Sequence, residues 1–207
     1  MLTSLIQGFS LGASLIIAIG SQNAFVLRQG LKREYVFTIC TVCFLCDALL
    51  IFLGVGGFGA LVASSPLFML VARWGGAGFL LLYGARAFRS VLKAEAVTIN
   101  SLESVVPGLA WVIATTLALT LLNPHVYLDT VILLGSIAGQ LPKQERSWFA
   151  AGAVCASLLW FYGIGYGARI LTPFFRKPIA WKILDILVGM IMWLIAAGLL
   201  WPIVKGQ

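Results

Sequence analysis

Two short stretches hold residue types that do chemistry. LLNPHVYLD, Leu121–Asp129, carries Asn123, Pro124, the chain's single histidine His125, Tyr127 and Asp129. GSQNAF, Gly20–Phe25, carries Gln22 and Asn23, and Asp47 stands alone between the two. A carboxylate recognises a cation, most strongly as a bidentate pair with a guanidinium. An imidazole titrates near neutral pH and can pass on a proton. The amides of Gln22, Asn23 and Asn123 suit the amino and carboxylate groups of an amino acid, and suit equally the tying of one helix to another. Asp47, Asp129, Asn23, Gln22, Asn123 and Tyr127 are therefore candidate substrate-binding residues. His125, Asp47 and Asp129 are candidates for proton coupling, and Gly20, Ser21 and Pro124 for helix breaks. No catalytic residue, metal ion or cofactor is expected.

The surroundings of these residues are lipid-like. Of 207 residues 61% are hydrophobic and 10% charged, with mean hydropathy +1.02. A soluble domain has about 25% charged residues, so this chain has too little polar surface to face water. The net charge of +7 does not point to nucleic acid, because the basic residues lie singly or in small groups between apolar runs. The opening MLTSLIQG has no basic residue ahead of its apolar run, and the first span is expected to be retained.

Apolar runs and their breaks predict an all-α integral membrane protein with six spans, at about 4–27, 36–62, 67–88, 109–136, 148–171 and 180–202. A polar connection at 89–108, with Arg89, Lys93, Glu95, Glu103 and Pro107, separates a first three-helix repeat (1–88) from a second (109–207). Asn23-Ala24-Phe25-Val26 aligns with Asn123-Pro124-His125-Val126. Leu50–Gly56 and Leu159–Gly165 share L-x-F-x-G-x-G, and Arg73 then falls opposite Lys182. Three spans per repeat would invert the second half, with paired broken segments near Asn23 and Asn123-Pro124 meeting near the midplane. Loops one, three and five hold ten basic residues (Arg28, Lys32, Arg33, Arg86, Arg89, Lys93, Arg169, Arg176, Lys177, Lys182) against four elsewhere (Arg73, Lys143, Arg146, Lys205). That asymmetry puts the odd loops in the cytoplasm and both termini outside.

Three of the seven acids fall within spans: Asp47, Asp129 and Asp185. An ionised Asp at a membrane centre costs about 2.5–3.5 kcal/mol on insertion scales, so each needs a partner. Asp185 has Lys182 one turn earlier. Asp47 has no basic neighbour in sequence, which favours a functional role. Asp129 is read as a cavity carboxylate, against an ion pair with Arg28. Pro124 frees a carbonyl around Thr120, tolerated in lipid only if buried or facing a wet cavity. Asn123 is as well suited to satisfying such groups as to binding substrate, His125 to bridging helices as to carrying protons, and Tyr127 to packing. Cys40, Cys43 and Cys46 form C-x2-C-x2-C but fan around a helix, and with Cys155 they read as packing residues. Gly54, Gly56, Gly57, Gly59, Gly75, Gly76, Gly78, Gly163, Gly165 and Gly167 permit close helix approach and a possible homodimer.

GSQNAFVLRQG at Gly20–Gly30 and LNPHVYLDTVILLGS at Leu122–Ser136 together resemble the lysine exporter family, its arginine exporter branch most closely. The likeness runs over essentially the whole chain and includes the Cys46-Asp47 of the second span. It implies a bacterial inner-membrane exporter of basic amino acids, L-arginine and L-lysine, driven by a proton gradient or the membrane potential. The family's motif residues fall on Gly20, Gln22, Asn23 and Gly30, on Asn123, Pro124, Tyr127 and Asp129, and on Asp47. Ser21 stands where the family usually has proline, and Leu121 where tryptophan is common. The expected mechanism is alternating access, one repeat rocking against the other. The cationic side chain would be read by Asp47 and Asp129, and the substrate carboxylate by the half-helix starting at Asn123-Pro124. Two rivals stand beside it: a cation-selective channel built on the same acids, and an intramembrane thiol oxidoreductase built on the cysteine triplet.

Overall fold

The computed structural model describes residues 1–17, 20–58, 66–93, 108–173 and 178–204. The side chains of Arg73 and Lys93, and residues Gly59, Glu95, Glu103, Pro107, Arg176, Lys177 and Lys205, lie outside the described residues, as does most of the 89–108 connection. All described regular structure is helical: α1 (Leu2–Ile16), α2 (Ser21–Lys32), α3 (Val36–Leu53), α4 (Pro66–Lys93), α5 (Leu109–Leu121), α6 (Pro124–Gly139), α7 (Lys143–Gly167) and α8 (Pro178–Val204). In lipid this is the expected outcome, because helices satisfy their own backbone.

Among the described residues three helices are long and apolar enough to cross a membrane, Val36–Phe58, Lys143–Leu171 and Ile179–Trp201. Two bent pairs raise the number to five if each counts as one span: α1 with α2, bent by 81°, and α5 with α6, bent by 59°. Neither α1, with 15 residues, nor α2, with 12, reaches across alone, since a span needs about 20. α4 has 28 residues, roughly 42 Å at 1.5 Å per residue.

Each bend has a local cause. Pro124 occupies the first position of α6, behind Asn123 in extended conformation (φ −94°, ψ 107°). Pro124 cannot donate to the Thr120 carbonyl, and, one residue on, the Leu121 carbonyl accepts from the Tyr127 hydroxyl at 2.8 Å. The Thr120 hydroxyl donates back along α5 to the Thr116 carbonyl at 2.9 Å. The other break follows one rule with different residues: Asn23 Nδ2 donates to the Ile16 carbonyl at 2.7 Å. Past the second break the chain widens into a π-helix over Tyr127–Leu133, and beyond α3 the chain kinks within Gly54–Phe58, where Gly57 is non-helical at φ 95°. π-Helical turns often occur at functional sites.

The helices meet at small residues. A Cβ at Gly8 or Gly152 would strike the backbone carbonyl of Phe149 or Leu5, so α1 and α7 touch main chain to main chain. A Cβ at Gly54 would lie 2.6 Å from the Thr130 carbonyl, fixing the end of α3 against the π-turn of α6. The sequence-derived G-x-x-x-G of α7 is not such a contact: Cβ atoms at Gly163 and Gly167 would meet nothing within 4 Å. The principal pairings are α1 with α7, α4 with α8, and α3 with α7. Phe25, Val26, Ile39, Cys43, Leu119, Phe161 and Met192 form the main core. Phe37, Leu45, Leu49 and Phe52 form an exposed stripe on α3, as do Ile179, Ile183, Leu187, Met190 and Leu194 on α8. Stripes of this size need an apolar environment, and the chain is a multi-pass membrane protein.

Candidate functional site

Both breaks open onto one cavity of about 280 Å³, near the lower end of small-molecule sites at roughly 300 Å³. Gly20, Ser21, Gln22 and Asn23 line it from the first break, and Asn123, His125, Asp129 and Thr130 from the second. Asp47 enters from α3, Phe161 from α7 and Ile195 from α8. Residues a hundred apart in sequence thus meet because two helices each stop short and turn.

Asp47 is only 3% exposed and accepts a hydrogen bond from the Ser157 hydroxyl on α7 at 2.9 Å. Asp129 is half-buried, and His125 is close enough to interact with it electrostatically. No Arg or Lys is among the cavity-lining residues described. Arg28, weighed as a partner for Asp129, instead pairs with Asp185 at 3.0 Å. Among the described lining residues, two carboxylates therefore face a shared space with no Arg or Lys.

The remaining sequence candidates divide into lining and bracing. Asn23 lines the cavity, but its amide donates to Ile16 and its oxygen accepts from Trp160 Nε1 at 3.1 Å. Asn123 caps α6, accepting from the His125 amide at 3.1 Å. The Val126 amide donates to the Asn123 carbonyl at 3.2 Å, and Pro124 has no amide hydrogen. The His125 and Val126 amides at the start of α6 are thus satisfied internally. Tyr127 and Pro124 brace the break and are not among the lining residues.

Sequence reasoning missed Ser157, Trp160, Thr130, Phe161 and Ile195. Ser157 is the one a sequence signal could have flagged, as a small polar residue amid the apolar run of α7. The four cysteines are free. Cys40 donates to the Phe161 carbonyl at 3.1 Å, and no group of three metal-binding side chains occurs among the described residues.

A family model described as LysE type translocator matches residues 13–202. The arginine exporter protein ArgO of Salmonella enteritidis PT4 is 45% identical over 196 residues, covering 95% of this chain and 92% of that relative. ArgO of Salmonella typhimurium LT2 matches at 45% and ArgO of Salmonella paratyphi A at 44%, with the same coverage. No solved structure matches the chain.

Proposed function

The chain belongs to the LysE type translocator family, a family of transporters and not of enzymes, and we propose that it exports arginine, with lysine as a second substrate. The observation that carries this reading is the pair Asp47 and Asp129 on one cavity without an Arg or Lys among the described lining residues. Two carboxylates cannot remain ionised and dry without compensation. A guanidinium or ammonium side chain supplies it, and a guanidinium does so with two parallel hydrogen bonds. The arginine exporters that align over 95% of this chain agree with that chemistry.

The transport cycle is alternating access around this cavity, powered by a proton gradient or the membrane potential. A proton reaching Asp47, Asp129 or His125 weakens the cation's hold and lets it leave. The architecture is two inverted three-helix repeats in the bacterial inner membrane, with α1–α2 and α5–α6 as broken spans and α4 as the sixth crossing. The pairings support it: a two-fold exchange of halves maps α3–α7 and α4–α8 onto themselves, and α1–α7 onto α5–α3. Both termini lie outside, as the basic residues indicate, and reporters that work only outside the cytoplasm, fused at either end, test that placement.

The central experiment is counterflow of labelled arginine into proteoliposomes, competed with lysine, ornithine, citrulline and leucine. Saturable exchange is expected, blocked by the cationic competitors and not by citrulline. Asp47→Asn and Asp129→Asn should each lose it, by at least about a hundredfold if a charge-assisted pair worth roughly 3 kcal/mol is removed. Exchange at wild-type rates in both variants would overturn the site. Unsaturable single-channel currents would replace the transporter by a channel.

A further inference from the structure

We propose that the amino end of α2 is the carboxylate subsite of the cavity: Ser21 and the leading amides of α2 hold the substrate's α-carboxylate, while Asp47 and Asp129 take its cationic end. The assignment rests on the export reading above and adds to it which part of the substrate sits where.

Helix starts present backbone amides with no intrahelical acceptor, and the helix dipole makes the same end attractive to anions. In most helices a side chain fills that role. Here the residue before α2 is Gly20, which has no side chain to offer, and no side-chain cap is made. The first backbone bond at this end runs from the Ala24 amide to the Gly20 carbonyl.

A second observation is independent of the helix end. Ser21 is fully buried and lines the cavity, yet its hydroxyl has no hydrogen-bond partner. Gln22 also lines the cavity, and its side-chain amide is a second donor there. Unpartnered donors are costly in a dry interior, and inside a bilayer water is scarce. Two side-chain donors and a helix start, all on one wall, describe a place for an oxyanion.

The other break shows the contrast. At α6 Pro124 has no amide hydrogen, and Asn123 accepts from both His125 and Val126. One half-helix is capped by its own Asn123, while its counterpart has no side-chain cap. A monoanion suits the uncapped one better than a phosphate, because Asp47 and Asp129 line the same cavity and repel a dianion. A basic amino acid, with one carboxylate and a cationic side chain, complements both walls at once.

Counterflow with arginine, agmatine (arginine without its carboxylate) and argininamide tests the subsite. In the wild type agmatine and argininamide should compete at least about tenfold more weakly than arginine. Ser21→Ala should weaken arginine by about tenfold, the size of one lost hydrogen bond to a charged group, and leave agmatine unchanged. Gly20→Asp should invert the preference. Gly20 is extended at φ −129° and ψ 174°, a conformation open to any residue, so the new carboxylate can cap α2, exclude arginine and admit agmatine. Where Gly20→Asp misfolds, Ser21→Ala decides by itself. Agmatine competing as well as arginine in the wild type, or equal weakening of both in Ser21→Ala, would overturn the subsite and leave the cation reading standing. Exchange of neither compound would overturn both.

Discussion

Ser157 shows how much of a binding residue's behaviour is set by its neighbour. The Asp47 carboxylate has two oxygens, and the bond from Ser157 at 2.9 Å fixes one of them. In the proposed site the other is the oxygen that meets the substrate's cation. Ser157→Ala should raise the apparent KM for arginine about tenfold, with maximal exchange little changed, because orientation is lost and the charge is kept. Equal loss in KM and rate, or none in either, would remove Ser157 from the site. The acids themselves were legible in the sequence, since a carboxylate within an apolar run demands an explanation. Their supports were not. Serine and tryptophan are ordinary in membrane helices, and only packing reveals that Ser157 serves Asp47 and Trp160 serves Asn23. The aligned pair Asn23 and Asn123 illustrates the limit. Both mark breaks, yet Asn23 reaches back to the preceding helix while Asn123 caps the following one, and Tyr127 does in the second half what Asn23 does in the first.

Helix breaks were predictable from residue type and helix contacts were not. Pro124 cannot donate a backbone bond, and Gly20 places no side chain at the turn, so both bends follow from local chemistry. Glycine spacing was a poorer guide, because a G-x-x-x-G says that close approach is possible without saying to what. The structure places tight contacts at Gly8, Gly12 and Gly152, between α1 and α7, bears out the close approach expected at Gly54, Gly76 and Gly165, and leaves Gly163 open. Gly163→Ala should therefore be neutral or stabilising by up to about 1 kcal/mol, the helix-propensity difference. Gly152→Leu should abolish folded protein, since the added side chain meets the Leu5 carbonyl and the Phe9 amide nitrogen. Thermal denaturation in detergent and the yield of monodisperse protein separate the two outcomes. Equal tolerance of both would mean that α1 does not pack on α7 as described.

Charged contacts help to join the helices. Arg28 of α2 meets Asp185 of α8, and near it the Arg86 guanidinium stacks over Trp111 at 5.2 Å, joining the end of α4 to the start of α5. Elsewhere Ser4 and the amino terminus of α1 contact Glu145 at the start of α7. Arg28→Ala leaves a buried carboxylate short of its partner and should destabilise the protein by about 3–5 kcal/mol. The exchange Arg28→Asp with Asp185→Arg should recover part of that loss in a thermal melt. An Arg28→Ala variant as stable as wild type would show that the pair bears no weight. The same connections bear on motion. The principal seams, α1–α7 and α4–α8, each join one half of the sequence to the other, so rocking one half against the other would have to slide along both. A body that moves whole would keep α1 with α7. The glycine seam has a further consequence for how the protein is made. During synthesis α1, too short at 15 residues to span the bilayer by itself, is made well before α7, and its notches at Gly8 and Gly12 have nothing to receive until Phe149–Ala153 has been translated. An early helix therefore waits for a late one, and the nascent chain carries it unfinished across the more than one hundred residues between them.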